Sequence, residues 1–291
     1  VDYKEMQINQ ARLLQIIKEE VNDFIITKQQ KINESIAQLV IEGIYDPGIL
    51  KAIFMAGGPG SGKSYTAKEI FQGNSIEGAT NQAGTQMGLR IINSDPAFEM
   101  YLRKAGISPS DLAAMSDEEF QAVTEPADSP RGKASKMKKT AQRSAEVGRL
   151  GLIIDGTGDD LTKIATRKEA VEDLGYDTFM VFVNTSLEMA QERNKKRDRV
   201  LPEDLVEEIW TNVQANLDGF KSLFGGNMVI IDNTEYEWSQ AEQDAAAAAV
   251  GFVESPVQNP IGVQWAKDAI TAKGADVDDP WVQKQLQKVI G

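Results

Sequence analysis

The sequence predicts an α/β three-layer sandwich around a mainly parallel five-stranded sheet, with helical extensions at both ends. Three observations carry that expectation. Five short runs, Ala52 to Ala56, Arg90 to Asn93, Leu152 to Ile154, Phe179 to Val183 and Met228 to Ile231, are almost continuously apolar, as strands buried on both faces are. They alternate with helical or loop-like stretches, the pattern of parallel strands joined by crossovers. A glycine-rich loop separates the first run from a helical stretch beginning at Tyr65.

Composition limits the chemistry. At 291 residues, 41% hydrophobic and 26% charged, the chain is expected to be a folded protein of enzyme size. It has no cysteine and no histidine. Disulfides, thiolate nucleophiles, imidazole bases and Cys/His metal sites are excluded, leaving carboxylates, lysine, arginine, hydroxyls or a bound ion. A formal net charge of −13 argues against a general nucleic-acid coat or an anionic membrane surface, although a local basic groove stays compatible with it. The N-terminal stretch carries frequent charges, and no apolar run approaches the ~20 residues of a membrane span. No membrane association is expected, and the cytoplasm is the expected location.

Residues 1–46 read as an N-terminal helical arm. Leu14, Ile17, Val21, Phe24, Ile32, Ile36 and Leu39 recur at mostly three- and four-residue steps. The arm packs on the core in the simpler reading; in the other, its partly heptad spacing serves self-association or a protein partner until Lys28 interrupts it. Asp46-Pro47-Gly48 marks a turn and a boundary. Residues 47–234 form the expected core and 235–291 a C-terminal helical extension, whose last helix starts at Asp279-Pro280. Two insertions are expected, Gly73 to Gly88 and Gly106 to Lys139, the second with a capping box from Ser116 to Glu119.

The loop Gly57-Gly58-Pro59-Gly60-Ser61-Gly62-Lys63-Ser64 satisfies G-x-x-x-x-G-K-[ST] in full. Glycines let backbone N–H groups approach a phosphate without Cβ clashes, and the following helix, from Tyr65, adds its dipole. The expected ligands are ATP and Mg²⁺, with Lys63 on the β/γ-phosphates and Ser64 on the metal. Leu152-Ile153-Ile154 ends in Asp155-Gly156-Thr157, without the second carboxylate that a hydrolytic motor would place there. Transfer to an acceptor is therefore favoured over hydrolysis. Asp155 is a candidate for Mg²⁺ or, with Thr157, for the acceptor; a simple turn aspartate is the alternative. Asp95, just after the strand Arg90 to Asn93, is the candidate base for an acceptor hydroxyl, a role compatible with starting a helix. Arg193 and Arg197, four residues apart, share a helix face and are candidates to neutralise transition-state charge.

Together the phosphate loop, the strand followed by Asp95, Ile153 to Thr157, and Arg193-Asn194 through Arg197-Asp198-Arg199-Val200-Leu201-Pro202 resemble the zeta-toxin and polynucleotide-kinase group of P-loop kinases. The resemblance covers roughly Lys51 to Asp232. It implies a P-loop kinase-like fold, a base role for Asp95, and lid roles for Arg193, Arg197 and Arg199. Two positions depart from the group: zeta toxins commonly carry glutamate where Asp155 stands, and polynucleotide kinases often carry arginine where Gly156 stands.

The function expected is transfer of the ATP γ-phosphate to a hydroxyl. The acceptor is either a small molecule, a nucleotide sugar if the zeta-toxin resemblance holds, or a nucleic-acid 5′ end. A strip from Arg131 to Arg149, with Lys133, Lys136, Lys138, Lys139 and Arg143, would suit a polyanion or a nucleotide diphosphate, or else is a solvated helix face. The alternative function is a nucleotide-binding component that docks into a larger assembly through its two extensions.

Overall fold

The computed structural model describes residues 46, 48–71, 85, 87–197, 200–235, 237–272 and 274–291. The expected N-terminal arm, most of the insertion at 73–88, and Arg199 lie outside the described residues. The five expected strands form: β1 (Lys51–Ala56), β2 (Arg90–Ile92), β3 (Leu152–Asp155), β4 (Asp177–Asn184) and β5 (Met228–Asp232). Their order is β2-β3-β1-β4-β5, and every pairing is parallel. The helices are α1 (Lys63–Phe71), α2 (Asp95–Lys104), α3 (Asp117–Thr124), α4 (Pro130–Val147), α5 (Leu161–Glu172), α6 (Leu187–Lys195), α7 (Glu203–Ala215), α8 (Leu217–Phe224), α9 (Gln240–Glu254), α10 (Pro260–Ala272) and α11 (Pro280–Ile290).

Side-chain alternation along the strands builds two cores, one on each face of the sheet. Ala52, Phe54 and Ala56 of β1 join Ile154, Met180 and Phe182 against Ile164 and Val171 of α5 and Phe220 and Phe224 of α8. Ile53 and Met55 face the other way, with Ile153, Val181 and Val183, against Ala67, Ile70 and Phe71 of α1 and Ala249 and Val253 of α9. Phe54 and Phe182 are fully buried, each stabilising the fold by about 1.5–3 kcal/mol. Central β1 is thus clamped on both faces, and the loop leaving its last residue starts from a fixed point.

Helix starts follow the local chemistry. The Ser116 hydroxyl accepts from the Glu119 N–H and the Ser116 N–H donates to the Glu119 carboxylate, the expected capping box. Ser129 accepts from Gly132 N, with Pro130 opening α4, and Asp279 Oδ1 accepts from Val282 N ahead of α11. The stretch from Gly106 to Lys139 holds a 3₁₀ turn (Pro109–Ala114), α3 and the first half of α4. These pack with α2 into a separate small core of Ala97, Phe98, Leu102, Leu112, Val123 and Ala134. That core forms a wall beside the C-terminal edge of the sheet. Among the described residues no helix is long and apolar enough to cross a membrane.

Candidate functional site

All five strands run the same way, so the segments leaving β1, β2 and β3 emerge along one edge, the usual ligand edge of an open parallel sheet. The phosphate loop leaves β1 and feeds α1, with Gly57 N–H bonded to Thr157 O at 2.9 Å and Gly156 N–H to Met55 O at 3.2 Å. The β1–β3 ladder therefore continues into the loop. Gly60 and Gly62 have φ of +77° and +89°. A Cβ on Gly60 would lie 2.2 Å from Ala190 O, and one on Gly62 2.2 Å from Asn233 Nδ2, so glycine is required at both places. This is a parallel α/β fold with a complete phosphate loop after the central strand of its sheet.

No family model matches the chain, and no curated protein matches it. Among solved structures it is similar to a gluconokinase from Sinorhizobium meliloti 1021, at 13% identity over 71% of this chain and 95% of that one, with a TM-score of 0.42. It is also similar to a chain of the PezAT chromosomal toxin-antitoxin system of Streptococcus pneumoniae, at 14% identity over 77% and 86% of the two chains, TM-score 0.40. A third is a chain of the AvrRxo1-ORF1:AvrRxo1-ORF2 structure with sulphate ions, at 12% identity over 90% and 86%, TM-score 0.41.

The cleft over this edge has a volume of about 640 Å³. It collects Gly58, Pro59, Gly60, Gly62, Lys63, Ser64 and Tyr65 from the loop and start of α1, Asp95 from α2, Asp155 and Thr157 from the end of β3, and Arg193 and Arg197 from α6 and its end. Gly57 and Ser61 stand behind it. Ser61 accepts through its backbone oxygen from Asn233 Nδ2 at 2.8 Å, and its own hydroxyl is buried without a partner. Trp210 of α7 packs against Gly58 and donates to Thr185 O at 2.9 Å, bracing the loop from the side opposite α2.

Lys63 Nζ donates to the carbonyl oxygens of Gly57 and Gly58, folding the ammonium back over its own loop. Burial pulls its pKa below the usual lysine value, with Asp155 opposing the shift. Asp155 shows the mirror effect: burial raises its pKa and Lys63 pulls against the rise. Its Oδ2 accepts from Asn93 Nδ2 at 2.8 Å, while Oδ1 is buried with no partner. Lys138 of α4 donates to the Asp155 backbone oxygen at 2.9 Å, and its pKa is also lowered by burial, then by Arg167. Three desolvated charges in one cleft are what a functional site concentrates.

Asp95 is the first residue of α2, after Ser94. Its N–H donates to Asn93 Oδ1 at 2.8 Å and its Oδ1 pairs with Arg131 Nη1 at 3.1 Å. Arg131 also lies over the Phe98 ring, 5.1 Å from its centroid. Of the three arginines proposed from sequence the two described ones differ: Arg193 donates to Asn233 O at 2.6 Å and Thr234 O at 3.3 Å, whereas Arg197 is exposed on the cleft rim. Thr157 donates its hydroxyl to Asp159 Oδ1.

The donor set fits one small hard cation. The unpartnered Asp155 Oδ1 and the Ser64 hydroxyl both belong to the cleft, and among the described residues no group of three or more carboxylates is placed to hold a metal ion. Mg²⁺ needs no more, because it keeps waters and takes phosphate oxygens for its remaining positions. Asn93, Lys138, Arg131, Asn233 and Trp210 were not singled out from sequence for these contacts. For Asn93 a local signal existed, since an Asn two residues before a helix start is a ready Asx turn.

Proposed function

We propose that the protein is an ATP- and Mg²⁺-dependent kinase that phosphorylates a hydroxyl of a small molecule. One observation carries the reading: a complete phosphate loop and a carboxylate at a helix start, Asp95, open onto the same 640 Å³ cleft, which is of small-molecule size. The loop amides, Lys63 and the start of α1 cradle the donor phosphates. Ser64 and Asp155 would hold Mg²⁺, which would supply neutralisation of the donor phosphate charge. Asp95 takes the proton of the acceptor hydroxyl. The acceptor oxygen forms its bond to Pγ as the bond from Pγ to the β,γ-bridging oxygen breaks, and the electron pair leaves on ADP. Arg197 on the rim, together with Arg199, offsets charge on the moving phosphoryl group, while Arg193 holds the turn that leaves β5 beside the phosphate loop.

The basic strip gives little support to a nucleic-acid acceptor. Lys133, Lys136, Lys139 and Arg143 are exposed along α4, while Arg131 and Lys138 turn into the cleft, so the charges diverge instead of tracking one backbone. A nucleotide sugar remains one member of the small-molecule class. The test is incubation with γ-labelled ATP, Mg²⁺ and a panel of sugars, nucleosides, nucleotide sugars, hydroxy acids and 5′-hydroxyl oligonucleotides. Transfer to a small acceptor, lost in Lys63→Ala and reduced at least 10²-fold in Asp95→Asn, is the expected outcome. Full transfer by Asp95→Asn removes the base assignment; inactivity across the panel removes the kinase reading.

A further inference from the structure

Seven cations lie between Arg131 and Arg149, and two of them, Arg131 and Lys138, line the cleft. They are seven residues apart on α4, two helical turns, and so stand on one face. That face closes the side of the cleft formed by α2 and α3, where Phe98, Leu112 and Phe120 present an apolar surface next to Asp95. The phosphate loop, Arg193 and Arg197 come from other elements, α1 and α6 with the segments beside them.

We infer that the acceptor carries an anionic group near its reactive hydroxyl, and that Arg131 and Lys138 are the specificity-determining residues that receive it. The inference rests on the kinase reading and names the substrate class within it. Lys138 spends one of its three N–H donors on Asp155 O, at 2.9 Å, and keeps the others for a ligand. Lys138 lines the cleft, and an arriving anion gives its remaining donors a charged partner that a neutral hydroxyl compound does not. Arg131 is aligned by the Phe98 ring and by its 3.1 Å contact with Asp95, a pair whose side chains are 38% and 33% exposed. A pair so exposed stabilises a fold by about 0–1 kcal/mol, too little to explain a guanidinium aimed at a candidate base. An anion competes with Asp95 for that guanidinium. Binding of the correct acceptor thus draws the Arg131 guanidinium away from Asp95, and a neutral acceptor leaves that contact in place.

A carboxylate and a phosphate monoester share the required chemistry, and separate arms of the test distinguish them. With the donor site saturated by a non-hydrolysable ATP analogue and Mg²⁺, glycerate, glycerol 3-phosphate and glycerol are titrated at constant ionic strength and followed by thermal shift. Transfer from ATP to the same three compounds is measured in parallel. The expected result is saturable stabilisation by one or both anions and not by glycerol, weakened roughly tenfold or more in Arg131→Gln and in Lys138→Gln. Lys136→Gln, on the exposed face of the same helix, responds like the wild type. An equal response to glycerol, no response to either anion, or responses that survive both cleft substitutions would overturn the inference while nucleotide binding stands. Failure of the wild type to bind the ATP analogue would instead take down the kinase reading, and this inference with it.

Discussion

Asn93 donates its side-chain amide to Asp155 Oδ2 at 2.8 Å, and the other oxygen of that carboxylate is buried with no partner. Burial holds the Asp155 carboxyl above its usual range, so the folded protein keeps a proton there at pH values where the unfolded chain has lost it. The stabilisation this brings is complete below pH 3.8 and is lost as pH rises through the raised folded value. At neutral pH, ionised Asp155 therefore costs the ligand-free fold stability. Asp155→Asn still offers Asn93 an acceptor, and it removes the charge. The ligand-free variant is expected to melt higher than wild type near pH 7, with the difference shrinking as pH falls toward about 4. Its response to Mg²⁺-nucleotide should be the weaker one. Thermal melts across that pH range, with and without ligand, check both halves; a variant less stable than wild type near pH 7 contradicts the reading.

An ion pair lies at the opposite edge of the sheet. Lys51, 2% exposed, pairs with Asp177 at 2.8 Å and also donates to Ser255 Oγ and Pro256 O, each at 3.1 Å. Asp177 additionally accepts the backbone N–H groups of Gln258 and Asn259, so the pair pins the chain after α9 to the start of β1 and β4. Removing one partner of a buried pair leaves the other charge uncompensated, at about 3–5 kcal/mol. Asp177→Ala should cost that much, and Lys51→Met less, because Asp177 retains two N–H donors. Nucleotide affinity of the folded variants should be unchanged, since the phosphate loop leaves the far end of β1. Urea unfolding and nucleotide titration separate the two effects.

The strands and the phosphate loop were legible because each is contiguous: an apolar run buries itself on both faces wherever it sits, and G-x-x-x-x-G-K-S carries its geometry in its own glycines. Asp95 and Asp155 were legible as strand-end carboxylates for the same reason. What sequence left open depends on distance along the chain. Asp95 and Arg131 are 36 residues apart, and Asn233 meets Ser61 across 172. The strip from Arg131 to Arg149 was visible as charge, but which members face inward is set by how α4 packs on α2. The seven-residue spacing of Arg131 and Lys138 was a usable hint, because that spacing repeats on a helix face.

Two glycines of similar backbone conformation separate strain from function. Gly60 has φ +77°, and a Cβ there would meet Ala190 O at 2.2 Å; Gly106 has φ +78°, and a Cβ there would meet nothing within 4 Å. Alanine at either position is strained by about 1–2 kcal/mol through its left-handed backbone. Only Gly60→Ala must also push the phosphate loop away from α6. Both variants should lose stability, and Gly60→Ala should lose more. ATP affinity should fall tenfold or more in Gly60→Ala and hold within about twofold in Gly106→Ala. Equilibrium unfolding and nucleotide titration give the comparison, and equal affinities in the two variants would contradict the placement of the loop.

Arg193 and Arg197 share a helix face by sequence, and their environments divide their duties. The Arg193 guanidinium serves the carbonyl oxygens of Asn233 and Thr234, the turn that leaves β5, and Asn233 in turn holds Ser61 of the phosphate loop. Arg193→Ala leaves those carbonyls short of a donor, a loss of about 1–3 kcal/mol, and loosens the loop through Asn233. Arg197 is exposed, and its N–H donates to the backbone oxygen of Asn194 at 3.2 Å, a residue that is fully buried and both donates to Leu201 O at 2.7 Å and accepts from Leu201 N at 3.1 Å. Arg197→Ala should therefore leave the melting temperature within experimental scatter and lower kcat by roughly 10²-fold, with little change in nucleotide KM, as expected for a charge used mainly in the transition state. Arg193→Ala should lower stability and raise the nucleotide KM together. Asn194→Ala should reproduce the kcat loss of Arg197→Ala in part and add a stability loss of about 1–3 kcal/mol from the two broken bonds. Steady-state kinetics with ATP varied, beside urea unfolding of the three variants, decide it: if Arg193→Ala and Arg197→Ala show the same profile, the two arginines act as one unit and the division fails.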